Sequence, residues 1–129
     1  MKNNYIKFDY NINIPIDFNY DISDISILLG NILDNSIEAV NKLPIKKRYI
    51  SFFMEYKNKT LFITIKNKFN GRIIKDNNNN NILTSKKDCN KHGLGLLSIK
   101  NIVNKYFGEF NVDIKENVFI IKILLFEIN

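Results

Sequence analysis

Between Asp24 and Leu43 the chain reads DISILLGNILDNSIEAVNKL, and at about 100° per residue its apolar side chains gather on one broad arc. Ile25, Leu28, Leu29, Ile32, Leu33, Ser36, Ile37, Ala39 and Val40 form that arc. A helix with so wide an apolar face has to lie against a second layer. The strip left over is polar and narrow. It holds Asn31, Asp34, Asn35 and Glu38, neighbours on adjoining turns by their (i, i+3) and (i, i+4) spacing. Asn and Asp are mediocre helix formers, because their short side chains compete with the backbone for hydrogen bonds. Two readings of the strip stand side by side. It is either a set of short oxygen ligands suited to Mg²⁺ carried by phosphates, or the polar outer face of an Asn-rich chain.

The rest of the chain supplies the second layer. From Tyr5 to Ile14 the pattern alternates, with Ile6, Phe8, Tyr10, Ile12 and Ile14 pointing one way, and predicts a half-buried strand closed by Pro15. Asp21 or Ser23 can cap the helix that follows, and Pro44 stops it. Gly30 weakens the middle of that helix, which implies a packing reason for it. Ile50, Phe52, Met54 and Tyr56 mark a second strand, and Lys57–Asn58–Lys59 turns the chain into a third through Leu61, Ile63 and Ile65. From Asn70 to Lys91 the apolar pattern fades through five consecutive asparagines, and the segment reads as a mobile lid. A second helix is expected to start around Gly93 to Leu96 and to end at Phe107 and Gly108, with Leu97, Ile99, Ile102, Val103 and Tyr106 facing the core. Strands at Glu109 to Ile114 and Val118 to Phe126 finish the chain, the last central because it is almost wholly apolar. The order predicts an α+β fold, a two-layer α/β sandwich whose mixed, largely antiparallel sheet carries helices on one face.

Length and composition narrow the function classes. A chain of 129 residues with 45% hydrophobic content fits one domain with one core. No apolar run approaches the roughly 20 residues of a membrane span, and MKNNYIKFDY lacks the apolar middle of a signal peptide. These features predict a cytoplasmic domain with no direct membrane insertion. Cys89 and His92 each occur singly, so neither a disulfide framework nor a zinc site is expected. The net charge of +6 is scattered, with clusters only at Lys46–Lys47–Arg48 and Lys86–Lys87, and nucleic acid is not an expected partner.

Chemistry gathers a second time in HGLGL, at His92, Gly93, Leu94, Gly95 and Leu96. The two glycines let the backbone turn tightly beside a ligand, and free N–H groups at a helix start make a place for an anion. A flexible hinge ahead of an ordinary helix is the plainer account. Thr84, Ser85, Lys86 and Lys87 favour the anion, since they put hydroxyl donors and positive charge in the lid.

LLGNILDNSIEAV resembles the N-box of the GHKL (gyrase, Hsp90, histidine kinase, MutL) ATP-binding superfamily, and KHGLGLLSIKNIVNKYFGEF resembles its second glycine box and following helix. TSKKDCNKHGLGL ahead of KYFG is most similar to the catalytic domain of Agr-type peptide quorum-sensing histidine kinases, and the likeness runs from about Ile6 to Phe126. The resemblance implies a Bergerat-type fold with an ATP lid at about 70–92, with ATP and Mg²⁺ as cofactors. It makes Asn35 the Mg²⁺ ligand with Asn31 assisting, lets Gly93 and Gly95 border the triphosphate, and places Thr84 to Lys87 in the lid. Asn67 stands where most of the superfamily has the aspartate that accepts from the adenine amino group, a bond an Asn oxygen can also accept. The implied partners are the dimerisation and phosphoacceptor helix of a parent kinase and, indirectly, its response regulator.

Three departures bear on this. The first glycine box is reduced to Asn67 with a distant Gly71, and Glu38 stands where many histidine kinases place a phosphate-contacting cation. Asn31 occupies the position of the water-activating glutamate of hydrolytic relatives, which suits transfer to a protein side chain better than hydrolysis. Phosphoacceptor histidines of these kinases lie on a separate upstream helix, so His92 is not expected to be the acceptor. The rival reading is a degenerate nucleotide-binding fold kept as a docking or regulatory module.

Overall fold

The computed structural model describes residues 5–15, 17, 19–70, 74–75, 82–83 and 89–126, with backbone alone at 74–75, 82–83 and 89–96. In chain order the elements are β1 (Lys7–Asn13), α1 (Ile22–Asn41), a 3-10 turn (Ile45–Lys47), β2 (Tyr49–Lys57), β3 (Thr60–Lys68), β4 (Ile74–Lys75), β5 (Ile82–Leu83), α2 (Cys89–Lys105), β6 (Glu109–Lys115) and β7 (Val118–Phe126). The main sheet has the order β1-β2-β3-β7-β6, with β1 parallel to β2 and every other pairing antiparallel. This is the expected α+β sandwich, and β7 lies inside the sheet as its apolar run predicts.

Local chemistry accounts for the corners. Asp21 is the N-cap of α1, its carboxylate accepting from the Ser23 N–H at 2.9 Å. Asn58 and Lys59 both take positive φ, 54° and 59°, which gives the β2–β3 hairpin a tight turn matched to the strand twist. At the end of α2 the Gly108 N–H donates to Val103 O and the Phe107 N–H to Asn104 O, with Phe107 left-handed at φ 54°. A Cβ on Gly108 would collide with the carbonyl oxygen of Leu124, so only glycine lets α2 drop onto β7 there.

Leu28, Ile32 and Val40 of α1 and Ile99, Ile102 and Val103 of α2 pack on Ile50, Phe52, Met54, Leu61, Ile63, Ile65, Ile121, Ile123 and Leu125 of the sheet. Several expectations need correction. Of the expected Tyr5–Ile14 face only Ile6 and Ile14 are half-buried against the core, and all seven residues of β1 between them are exposed, because the core helices lie over other strands and β1 forms the rim of the sheet. Gly30 has no packing reason, since a Cβ built there meets nothing within 4 Å. α2 begins at Cys89, before the Gly93 to Leu96 range, and ends at Lys105, short of Phe107; Leu97 is 54% exposed, on the outer side of that helix and not against the core; and α1 ends at Asn41. Inside the expected lid, Ile74–Lys75 pairs antiparallel with Ile82–Leu83, while 76–81 and 84–88 lie outside the described residues.

Candidate functional site

A three-way contact sets how the two helices lie. Asp24, in the first turn of α1, accepts from Lys105 Nζ and from the Tyr106 hydroxyl, each at 2.7 Å; Lys105 is the last residue of α2 and Tyr106 follows it. The Tyr106 oxygen in turn accepts from the Asp21 N–H at 3.2 Å. The bonds from Lys105 and Tyr106 hold the Asp24 carboxyl below its ordinary value. Burial, and then the bond to Asp24, push the Tyr106 hydroxyl up. Tyr20 adds a further tie, its hydroxyl donating to Leu125 O at 2.8 Å.

Because the start of α1 meets the end of α2, the helices run antiparallel. Asn35 lies eleven residues beyond Asp24, about 16 Å along the axis, and the same distance back from Lys105 reaches the backbone of Leu94. Asp24, Asn31 and Asn35 also fall within about 40° of one another around α1, so both asparagines share the flank that Asp24 turns towards α2. The fold therefore brings the half-buried Asn31 and Asn35 to the same end of the helix pair as His92 to Leu96. Glu38 follows on that flank, half-buried, while Asp34 is exposed.

Beneath this end lies a polar pair that the sequence reading missed. Ser36 and Asn67 are 1% and 3% exposed, and the Ser36 hydroxyl donates to Asn67 Oδ1 at 3.1 Å. Asn67 Nδ2 donates to Lys68 O at 3.1 Å. A backbone carbonyl can only accept, so this second bond fixes which end of the amide faces Ser36. The oxygen keeps one lone pair and the nitrogen one proton beyond these two bonds. Ser36 falls on the apolar arc of the helix, and a lone hydroxyl at a buried helical position is itself a sign that a partner lies opposite.

The anion site looks different from the expectation. With α2 starting at Cys89, Gly93 and Gly95 fall within its first two turns, past the orphan N–H groups of the helix start. Thr84, Ser85, Lys86 and Lys87 lie outside the described residues. Among the described residues no cluster of three or more His, Cys, Asp or Glu could hold a metal, and no helix is long and apolar enough to cross a membrane.

A family model described as GHKL domain matches residues 20–126. The chain belongs to the GHKL domain family. The catalytic domain of histidine kinase ThkA is similar to this GHKL domain at TM-score 0.66 and 19% identity, over 95% of this chain and 79% of that one. The Acinetobacter baumannii histidine kinase AdeS matches at TM-score 0.61 and 17% identity, over 95% of this chain and 56% of that one. For the Erythrobacter litoralis EL346 blue-light activated histidine kinase the TM-score is 0.64 at 18% identity, over 95% and 35%. The GHKL domain thus has the fold of histidine kinase catalytic domains and spans about half of AdeS and a third of the Erythrobacter kinase. No curated protein matches the chain.

Proposed function

We propose that this GHKL domain is the ATP-binding catalytic domain of a sensor histidine kinase of the Agr-type peptide quorum-sensing group. It binds Mg·ATP between the Asn31/Asn35 flank of α1 and the lid, and hands the γ-phosphate to a histidine on a separate dimerisation helix. What supports the reading is the contact of the start of α1 with the end of α2, from which helix rise alone runs the Asn31/Asn35 flank towards the HGLGL segment, together with the oriented Asn67 amide bonded to Ser36.

Each part fits Mg·ATP in its chemistry. Mg²⁺ keeps most of its shell for water and phosphate oxygens, so one or two protein oxygens, from Asn35 and Asn31, suffice without an acidic cage. The bound metal would neutralise charge on the phosphates. The spare Asn67 Oδ1 lone pair can accept from an adenine amino group. Gly93 and Gly95 each weaken a helix by about 1 kcal/mol relative to Ala, so the first turns of α2 can open to free N–H groups for phosphate. His92 and the hydroxyls and cations of Thr84 to Lys87 complete the polyphosphate side. The acceptor helix, a cognate response regulator and a cytoplasmic setting belong to the same proposal.

A second reading rests on a specific observation: in the helical form of Gly93 to Gly95 the N–H groups are spent, as suits a docking module that has lost its nucleotide. Calorimetric titration with ATP, with and without Mg²⁺, separates the two. Magnesium-dependent binding that weakens at least tenfold in Asn35→Ala is the expected result. Absence of binding up to millimolar nucleotide in both proteins leaves the docking module as the account.

A further inference from the structure

Counting strands against helices exposes a gap in the helical layer. Strands lie about 4.8 Å apart and a helix is about 10 Å wide, so one helix covers about two strands. α1 lies over β2 and β3, and α2 over β6 and β7. β1 is left over. By register Phe8, Tyr10 and Ile12 stand beside Ile50, Phe52 and Met54, which are core residues, so the three continue the core face of the sheet. Yet they are 45%, 68% and 52% exposed. The flank of α1 turned away from α2 carries Leu29, Leu33 and Ile37, the last 39% exposed. Together they make a groove with a strand for a floor and a helix for one wall.

We infer that this groove seats an amphipathic α-helix from a polypeptide segment outside these 129 residues, with an apolar stripe inward and carboxylates at one end. Two observations select that occupant. First, the face to be covered belongs to the helical layer, and pairing at the β1 edge would leave it open. Seven strand residues span about 23 Å, the length of about 15 helical residues. Second, the groove is basic where β1 begins. There the Lys7 N–H donates to Arg48 O, beside exposed Lys46 and Lys47, and the chain has no carboxylate from Asn41 to Ser51. None of this depends on nucleotide binding.

The test uses the 129-residue protein and two 18-residue helical peptides, one with Leu at i, i+3, i+4 and i+7 spacing and Glu elsewhere, the other with Lys for Glu. The Glu peptide should bind at least tenfold tighter than the Lys peptide, and amide shifts should move in 7–13 and 29–37. Tyr10→Lys should weaken that binding at least tenfold while leaving circular dichroism and ATP titration unchanged. Because Tyr10 is mostly exposed, the variant keeps its fold. Equal binding of the two peptides, no binding up to millimolar, or indifference to Tyr10→Lys overturns the inference. So does a dimer in sedimentation that Tyr10→Lys abolishes, which makes a second copy the occupant. Binding to phosphatidylglycerol vesicles lost in the same variant would instead make the groove a lipid contact and overturn it too.

Discussion

Gly30 and Gly108 differ in what stands where a side chain would be. At Gly30 the helix flank is open, so Gly30→Ala adds helix propensity without a clash and should stabilise the protein by about 1 kcal/mol in urea unfolding. At Gly108 the Leu124 carbonyl is backbone and cannot yield, so Gly108→Ala should cost about 1–3 kcal/mol by the same measurement. Stabilisation at both sites, or loss at both, would contradict this placement of the two. The contrast also marks how far the sequence could be read at single residues. A mid-helix glycine announces its cost, but which flank of a helix faces a neighbour depends on where the other helix lies. Asn67 is singled out in the sequence only as an expected adenine contact, through resemblance. Its bond to Ser36 was not legible, because the two positions are joined only when the end of β3 passes under α1.

At the scale of elements, the junction of α1 and α2 rests on Asp24, and it is pH-sensitive in a defined direction. A carboxyl with a depressed folded pKa contributes stability in full above its unfolded value of about 3.8, and loses it as pH falls through the lower folded value. Lys105 and Tyr106 are both pushed upwards, away from this range, so the acid limb at this junction belongs to Asp24. Asp24→Asn should therefore lower stability by about 1 kcal/mol near neutral pH, a modest figure because Lys105 is half-exposed. Urea unfolding followed from pH 7 to about pH 2 should show the wild-type and variant curves converging at the acid end. A gap that stays constant down to the lowest pH would mean that the carboxylate charge is not what joins the helices. The sequence placed Asp24 in its helix and Tyr106 on the core side of the other, although Tyr106 falls one residue past the end of α2. It could not pair them, since 82 residues separate them and only the antiparallel packing brings them together.

Across the whole molecule, the sheet order was less legible than the strands. β2, β3, β6 and β7 announce themselves by alternation or apolar runs, and a nearly all-apolar β7 must be internal. The alternation around β1 is just as clean, and it predicts burial that the fold delivers only at the flanking Ile6 and Ile14, because a period of two says which side chains share a face and nothing about what covers that face. The consequence is a gradient of stability across the sheet. β3 and β7 pair along nine residues each and lie beneath helices, while β1 has one neighbour and no cover. Local opening is cheapest where few apolar contacts must be broken. Amide hydrogen exchange should accordingly be slowest at Ile63, Ile65, Ile121 and Ile123 and much faster through Phe8 to Ile12. Adding the Glu peptide should slow exchange in β1 and leave β3 and β7 unchanged, because the helix would supply β1 with the layer the other strands already possess. If β1 without peptide exchanges as slowly as β3, the sheet opens only as one unit and its rim needs no further support.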